Sequence, residues 1–175
     1  MFLKKSQSSL EFLMIFGIGF LIILGLTSIF ITYFNGEKNT LDKKHMENIG
    51  DSIIDNVEKI YFLGKGNRIT MDTKFSEGIS NLTIEHMNVS DPSGAPGDRL
   101  YFDLLKIEFY TDEGVGSQVF ETNELYVRFN CTKCYQTPRV NGSWISYFNY
   151  SDYNPGFKKI RFESFGDWVS MDFVK

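Results

Sequence analysis

Lys4-Lys5-Ser6-Gln7-Ser8-Ser9-Leu10-Glu11-Phe12 opens onto an uncharged apolar run that continues to Phe34. The run from Phe12 to Phe34 holds 23 residues, fifteen of them Leu, Ile or Phe. As a helix it reaches roughly 35 Å, against a hydrocarbon core of about 30 Å. Those fifteen side chains alone favour insertion by about 5 to 9 kcal/mol. The segment is therefore predicted to enter a membrane. A cleaved secretory signal has an apolar region of about 7 to 15 residues ending in a small-residue site. This run is longer, and Ile29-Phe30-Ile31-Thr32-Tyr33-Phe34 offers no such site. Gly17, Gly19 and Gly25 interrupt the helix pattern. Glycine is common in membrane helices, and it also permits close helix approach. Glu11 stands at the edge of the run, and an ionisable group at that depth is costly and marks function.

The ordered string Gln7-Ser8-Ser9-Leu10-Glu11-Phe12 resembles the start of archaeal type IV pilin-like proteins with class III signal peptides, its motif residues being Gln7, Ser9, Glu11 and Phe12. The resemblance covers about the first 35 residues closely and the rest in layout. It implies a prepilin peptidase cut between Ser6 and Gln7, on the cytoplasmic side of the helix. Ser6 stands where glycine or alanine is more usual. Glu11 becomes the fifth mature residue, whose carboxylate meets an N-terminal amine during filament assembly. A charge in a low-dielectric bundle needs such a partner. The plainer alternative is a glutamate snorkelling from the first helical turn, where it also complements the helix dipole.

Losing Lys4 and Lys5 lowers Lys+Arg from 18 to 16 against 22 Asp+Glu, so the mature chain carries a net charge of −6. That balance argues against nucleic-acid binding, which needs a basic patch. Lysines on both sides of the run leave the charge-bias rule undecided. Asn-x-Ser/Thr sequons at Asn81, Asn88, Asn130, Asn141 and Asn149 all fall after residue 80 and place that part outside the cell. Cys131-Thr132-Lys133-Cys134 lacks further metal ligands at a useful spacing and lacks a βαβ context. A small local disulfide is the favoured reading, with a reduced buried pair as the alternative.

Past Asn35-Gly36 (a break or a bend), Leu41, Met46, Ile49, Ile53, Val57 and Ile60 recur at three- and four-residue intervals and predict a helix over about 38–62. Gly64-Lys65-Gly66-Asn67 reads as the turn that stops it. Seven short runs follow: Ile69 to Thr73, Leu82 to Val89, Leu100 to Tyr110, Gln118 to Asn130, Trp144 to Tyr150, Lys158 to Ser164 and Asp167 to Val174. The fold class is thus α+β: a long N-terminal hydrophobic helix, then an antiparallel β-sandwich-like head of type IV pilin kind. The organisation is a leader at 1–6, an apolar helix at 7–35, an amphipathic extension at 36–65 and a β-rich extracellular head at 66–175.

The Asp91–Asp98 loop matches no known cation spacing and reads as a solvated turn. Tyr147, Tyr150 and Tyr153 read as core anchors, with stacking on sugars or surfaces as the alternative. His45 and His86 are isolated in sequence, so no nucleophile with a positioned base emerges; no enzyme, metal or cofactor is expected. The leading expectation is a pilin: a membrane-inserted precursor with its head outside, matured into an extracellular surface filament serving adhesion. Its partners would be copies of itself, related pilins, the prepilin peptidase, and an assembly ATPase with its membrane platform. The competing expectation is a single-span surface protein that never polymerises and whose β-domain binds a ligand or carbohydrate.

Overall fold

The computed structural model describes residues 3–90, 99–111, 114–123, 127–139 and 143–174, with side chains described from 11–34 and from 43 onward, except 89–90 and 99. The Asp91–Asp98 loop, Asn141 and the Leu41 side chain lie outside these residues. Helix α1 spans Leu3–Leu63, and Asn35-Gly36 falls inside it. The chain divides into two compact units, residues 1–42 and 43–175, each described by itself.

In the first unit, Glu11–Phe34 is the one described stretch long and apolar enough to cross a membrane, and none of it is buried. Phe12 stacks on Phe16 and Phe30 on Phe34, as i,i+4 neighbours do on a helix. The hydroxyls face inward on the chain's own backbone: Thr27 Oγ1 donates to Ile23 O at 2.8 Å and Thr32 Oγ1 to Ser28 O at 3.0 Å. Such back-bonding satisfies polar groups that no water would reach in an apolar medium.

In the second unit α1 becomes a core helix. Met46, Ile49, Ile53, Val57 and Ile60, the residues spaced by helical period, are all buried. The helix stops where expected. Gly64 and Gly66 take positive φ (+83° and +88°), and Asn67 Nδ2 donates to Leu63 O at 2.6 Å and to Gly64 O at 3.0 Å. Glycine reaches that left-handed region without strain, and the asparagine satisfies carbonyls that the helix end leaves unpaired.

Among the described residues nine strands follow: β1 Arg68–Phe75, β2 Ile79–Ser90, β3 Arg99–Thr111, β4 Gly114–Glu121, β5 Phe129–Asn130, β6 Tyr135–Pro138, β7 Trp144–Tyr147, β8 Gly156–Ser164 and β9 Val169–Val174, with a one-turn helix α2 at Tyr150–Tyr153. They form two sheets, ordered β1-β8-β9-β5 and β4-β3-β2-β7-β6. One apolar cluster draws on both: Phe75, Phe129, Ile160, Phe162, Val169 and Met171 from the first, Leu82, Ile84, Leu105, Ile107 and Phe120 from the second, and α1. Alternate exposure along β1 and β8 reflects the two-residue strand period. Residues 43–63 of α1 reach an edge strand of each sheet. Asn56 Nδ2 lies 3.4 Å from Met71 Sδ and His45 Nε2 lies 2.7 Å from Lys74 O, both on β1. Gly50 abuts Phe120 on β4.

Three sequence expectations need correction. The run from Gln118 to Asn130 is not one strand: β4 ends at Glu121, Asn123 Nδ2 donates to Glu58 on α1, and β5 joins the other sheet. The run from Trp144 to Tyr150 ends as a strand at Tyr147: Phe148 N still donates to Leu82 O, and the chain then turns into α2. The sheets are antiparallel except that β5 pairs with β9 in parallel, Phe129 opposite Val169. Strand β6 was not expected. It is an edge strand, which is where Pro138 is tolerated.

Candidate functional site

Strand parity explains the polar centre of the second unit. His86 shares a face of β2 with Leu82 and Ile84, and Asp103 shares a face of β3 with Leu105 and Ile107, so two titratable groups take core-facing positions. His86 Nδ1 lies 2.7 Å from Asp103 Oδ1, and His86 Nε2 lies 3.0 Å from Ser146 Oγ on β7. All three residues are buried. The other Asp103 oxygen accepts the Phe129 backbone N–H at 2.8 Å, and Ser146 Oγ donates to Asn130 Oδ1 at 3.0 Å. Asp103, His86 and Ser146 belong to one sheet and Phe129 and Asn130 to the other, so the network ties the two together.

His86 is therefore not isolated, although its partners lie 17 and 60 residues away in sequence. Asp, His and Ser in this order resemble an activated-serine arrangement. The surroundings differ in a decisive way. The single Ser146 hydroxyl proton has two acceptors in reach, Asn130 Oδ1 and, in the Nδ1–H tautomer, His86 Nε2. Ser146 is fully buried and does not line the adjoining hollow, so its Oγ has no approach to a substrate carbonyl.

That hollow, about 230 Å³, is lined by His86, Asp103, Arg128, Asn130, Trp144 and Trp168, with Phe129 and Asp167 completing it. Trp144 stacks on His86 with centroids 4.7 Å apart, and Trp168 stacks on Phe165 at the same separation. The Arg128 guanidinium sits over the Tyr101 ring at 5.2 Å, and its Nε lies 3.8 Å from Asp103 Oδ2. A second hollow, about 640 Å³, shares His86 and Trp144 and is bordered by Glu85 and Arg139.

The residues singled out in the sequence fall elsewhere. Ser6, Gln7 and Ser9 lie in α1, with side chains outside the described residues; Glu11 and Phe12 are exposed at the start of the apolar stretch. Cys131 and Cys134 are joined, Cα atoms 5.7 Å apart, within the range a disulfide spans. The loop they close is held by Asp172, which accepts from Thr132 N at 2.9 Å and from Thr132 Oγ1 at 2.8 Å. Asn149 is exposed at the start of α2; Asn81, Asn88 and Asn130 are half-buried. Tyr153 is buried, its hydroxyl donating to Ser80 O at 3.3 Å, whereas Tyr150 is exposed. Burial pushes the Tyr153 phenol above its ordinary value.

On the opposite parity of β2 and β3 lies a charged patch. Lys106 Nζ contacts Glu108 at 2.7 Å and Glu85 at 3.8 Å, and Arg139 contacts Glu85 at 3.4 Å. The side-chain hydrogen bond between them raises Lys106 and lowers Glu108 from their ordinary values. No group of three His, Cys, Asp or Glu side chains among the described residues is placed to hold a metal ion. Compared with known protein families, characterised proteins and solved structures, the chain matches none.

Proposed function

We propose that the protein is the structural subunit of an archaeal type IV pilus-like surface filament. The observation that carries this reading is the wholly uncovered apolar stretch Glu11–Phe34, set directly behind the Gln7–Phe12 motif. So large an apolar surface must be covered, first by lipid and then by neighbouring copies. The precursor enters the membrane with its head outside, and prepilin peptidase cuts between Ser6 and Gln7. An assembly ATPase and its membrane platform then move the helix from lipid into a bundle of like helices, its own copies and related pilins. Glu11 in that bundle is matched by the new amine at Gln7. Thr27 and Thr32, already bonded to their own backbone, cost the bundle no unpaired hydroxyl.

In this reading the second unit is a sandwich-like pilin head on the filament exterior, carrying adhesion and sugars. The buried His86–Asp103–Ser146 network is structural and the protein is not an enzyme. Cys131 and Cys134 stay oxidised outside the cell.

The test is Glu11→Ala, expressed in a host with the peptidase, ATPase and platform. The variant is expected to insert and to be trimmed like the parent, yet to be missing from sheared surface filaments. Incorporation at the parental level would remove the role assigned to Glu11.

A further inference from the structure

We propose that the hollow between Trp144 and Trp168 binds a neutral sugar ring, one residue of a glycan chain that runs on over Trp144. Three observations carry this. The first is the pair of aromatic platforms. Sugars present a face of C–H groups that packs on an aromatic ring, while their hydroxyls need fixed polar partners at the ring edge. Both platforms are backed and hence rigid: His86 stacks against Trp144 and is itself held by Asp103 and Ser146, and Phe165 stacks against Trp168. A site ordered before the ligand arrives loses little entropy on binding.

The second observation is the polar rim. Arg128 supplies donors, Asp167 supplies acceptors and Asn130 offers an amide. Arg128 Nε makes no hydrogen bond among the described residues although it is buried, and such an atom calls for a partner. The cations are already matched by carboxylates, Arg128 by Asp103 and Arg139 by Glu85. With Asp103 and Asp167 beside Arg128 the rim has no excess of positive charge, which favours an uncharged, hydroxyl-rich ligand over a phosphate or a uronate.

The third observation is size. Pockets for drug-sized ligands measure about 300 to 1,000 Å³. At about 230 Å³ the hollow suits a single ring. The neighbouring hollow of about 640 Å³ shares Trp144 and leaves room for the next ones.

The sequence makes the test simple, because Trp144 and Trp168 are the only two tryptophans and both line the site. All tryptophan emission therefore reports on it. Full-length protein in phosphatidylcholine nanodiscs, free of sugar-headed detergent, is titrated to about 10 mM with cellotriose, chitotriose, mannotriose and maltotriose, and with anionic trigalacturonate. The expected result is a saturable emission change with at least one neutral trisaccharide, accompanied by protection from acrylamide quenching. Trp168→Phe should weaken that binding at least tenfold while Trp144 still emits. The proposal is overturned by no saturable change with any neutral sugar, by saturation with trigalacturonate alone, or by unaltered binding to a folded Trp168→Phe protein. The quenching measurement on the parent protein stands even if the variant misfolds. It also stands apart from filament assembly, whose success or failure does not alter it.

Discussion

The Phe120 ring fills the space that a Cβ on Gly50 would need. This contact sets residues 43–63 of α1 against the edge strand β4, and it reverses the usual effect of a helical glycine. Gly→Ala in a helix interior ordinarily stabilises by about 0.5–1 kcal/mol. Here the added methyl meets an aromatic ring in a filled core, and overpacking costs about 1–3 kcal/mol. Gly50→Ala is therefore expected to destabilise the head, seen as a lower urea midpoint. Phe120→Leu in the same chain should restore part of the loss. A higher midpoint for Gly50→Ala would show that the helix does not press on β4.

Asp103 accepts from two buried donors, His86 Nδ1 and the Phe129 backbone N–H. Losing the carboxylate strands both donors in the core, and each unsatisfied buried group costs about 1–3 kcal/mol. Ser146→Ala deletes a neutral hydroxyl whose loss is worth about 1 kcal/mol. Urea denaturation should rank Asp103→Ala well below Ser146→Ala. Equal costs would mean that the network does not join the sheets through Asp103.

Acid should weaken the outer face of β3. The Lys106 hydrogen bond holds Glu108 below its ordinary 4.5, so its stabilising share is present above that value and is lost as pH falls through the lower folded one. Lys106 behaves in the opposite sense: its share is present below 10.5 and is lost as pH rises through the raised folded value. Both side chains are partly exposed, which limits the effect to less than about 1 kcal/mol. The midpoint difference between parent and Glu108→Gln should shrink between about pH 6 and about pH 3. A difference independent of pH would exclude this pair as its source.

Among the described sequons, Asn149 is the one in the open, next to exposed Tyr150. Asn130 Oδ1 accepts from Cys131 N at 2.7 Å and from Ser146 Oγ, and the hydroxyl of its sequon Thr132 is bound to Asp172. Peptide mapping of protein from a glycosylating host should find sugar on Asn149 and none on Asn130. A modified Asn130 beside a bare Asn149 contradicts this assignment.

Periodic features were legible in the sequence, and pairings between distant residues were not. Met46 to Ile60 announce a helix because each must face one core at the helical spacing, and Gly64 to Asn67 end it by local chemistry alone. The Leu82 to Val89 and Leu100 to Tyr110 runs likewise contain their own alternation. Strand β5 carries only two residues and owes its place to β9, some forty positions on, so no local signal reveals it. His86 looks isolated in the sequence because its partners are remote. The signal that would have found it is parity: His86 follows Leu82 and Ile84, and Asp103 precedes Leu105 and Ile107, each a polar residue on an apolar face. Trp144 and Trp168 converge only after the chain has crossed between sheets.

The central claim is that the apolar helix is trimmed and then polymerised. Mass spectrometry of the N-terminal peptide, taken from sheared surface filaments of the producing cell, tests it most directly. The account predicts a chain in the filaments that begins at Gln7 (or its pyroglutamate). A chain that keeps Met1 and occurs only in the membrane fraction would contradict it.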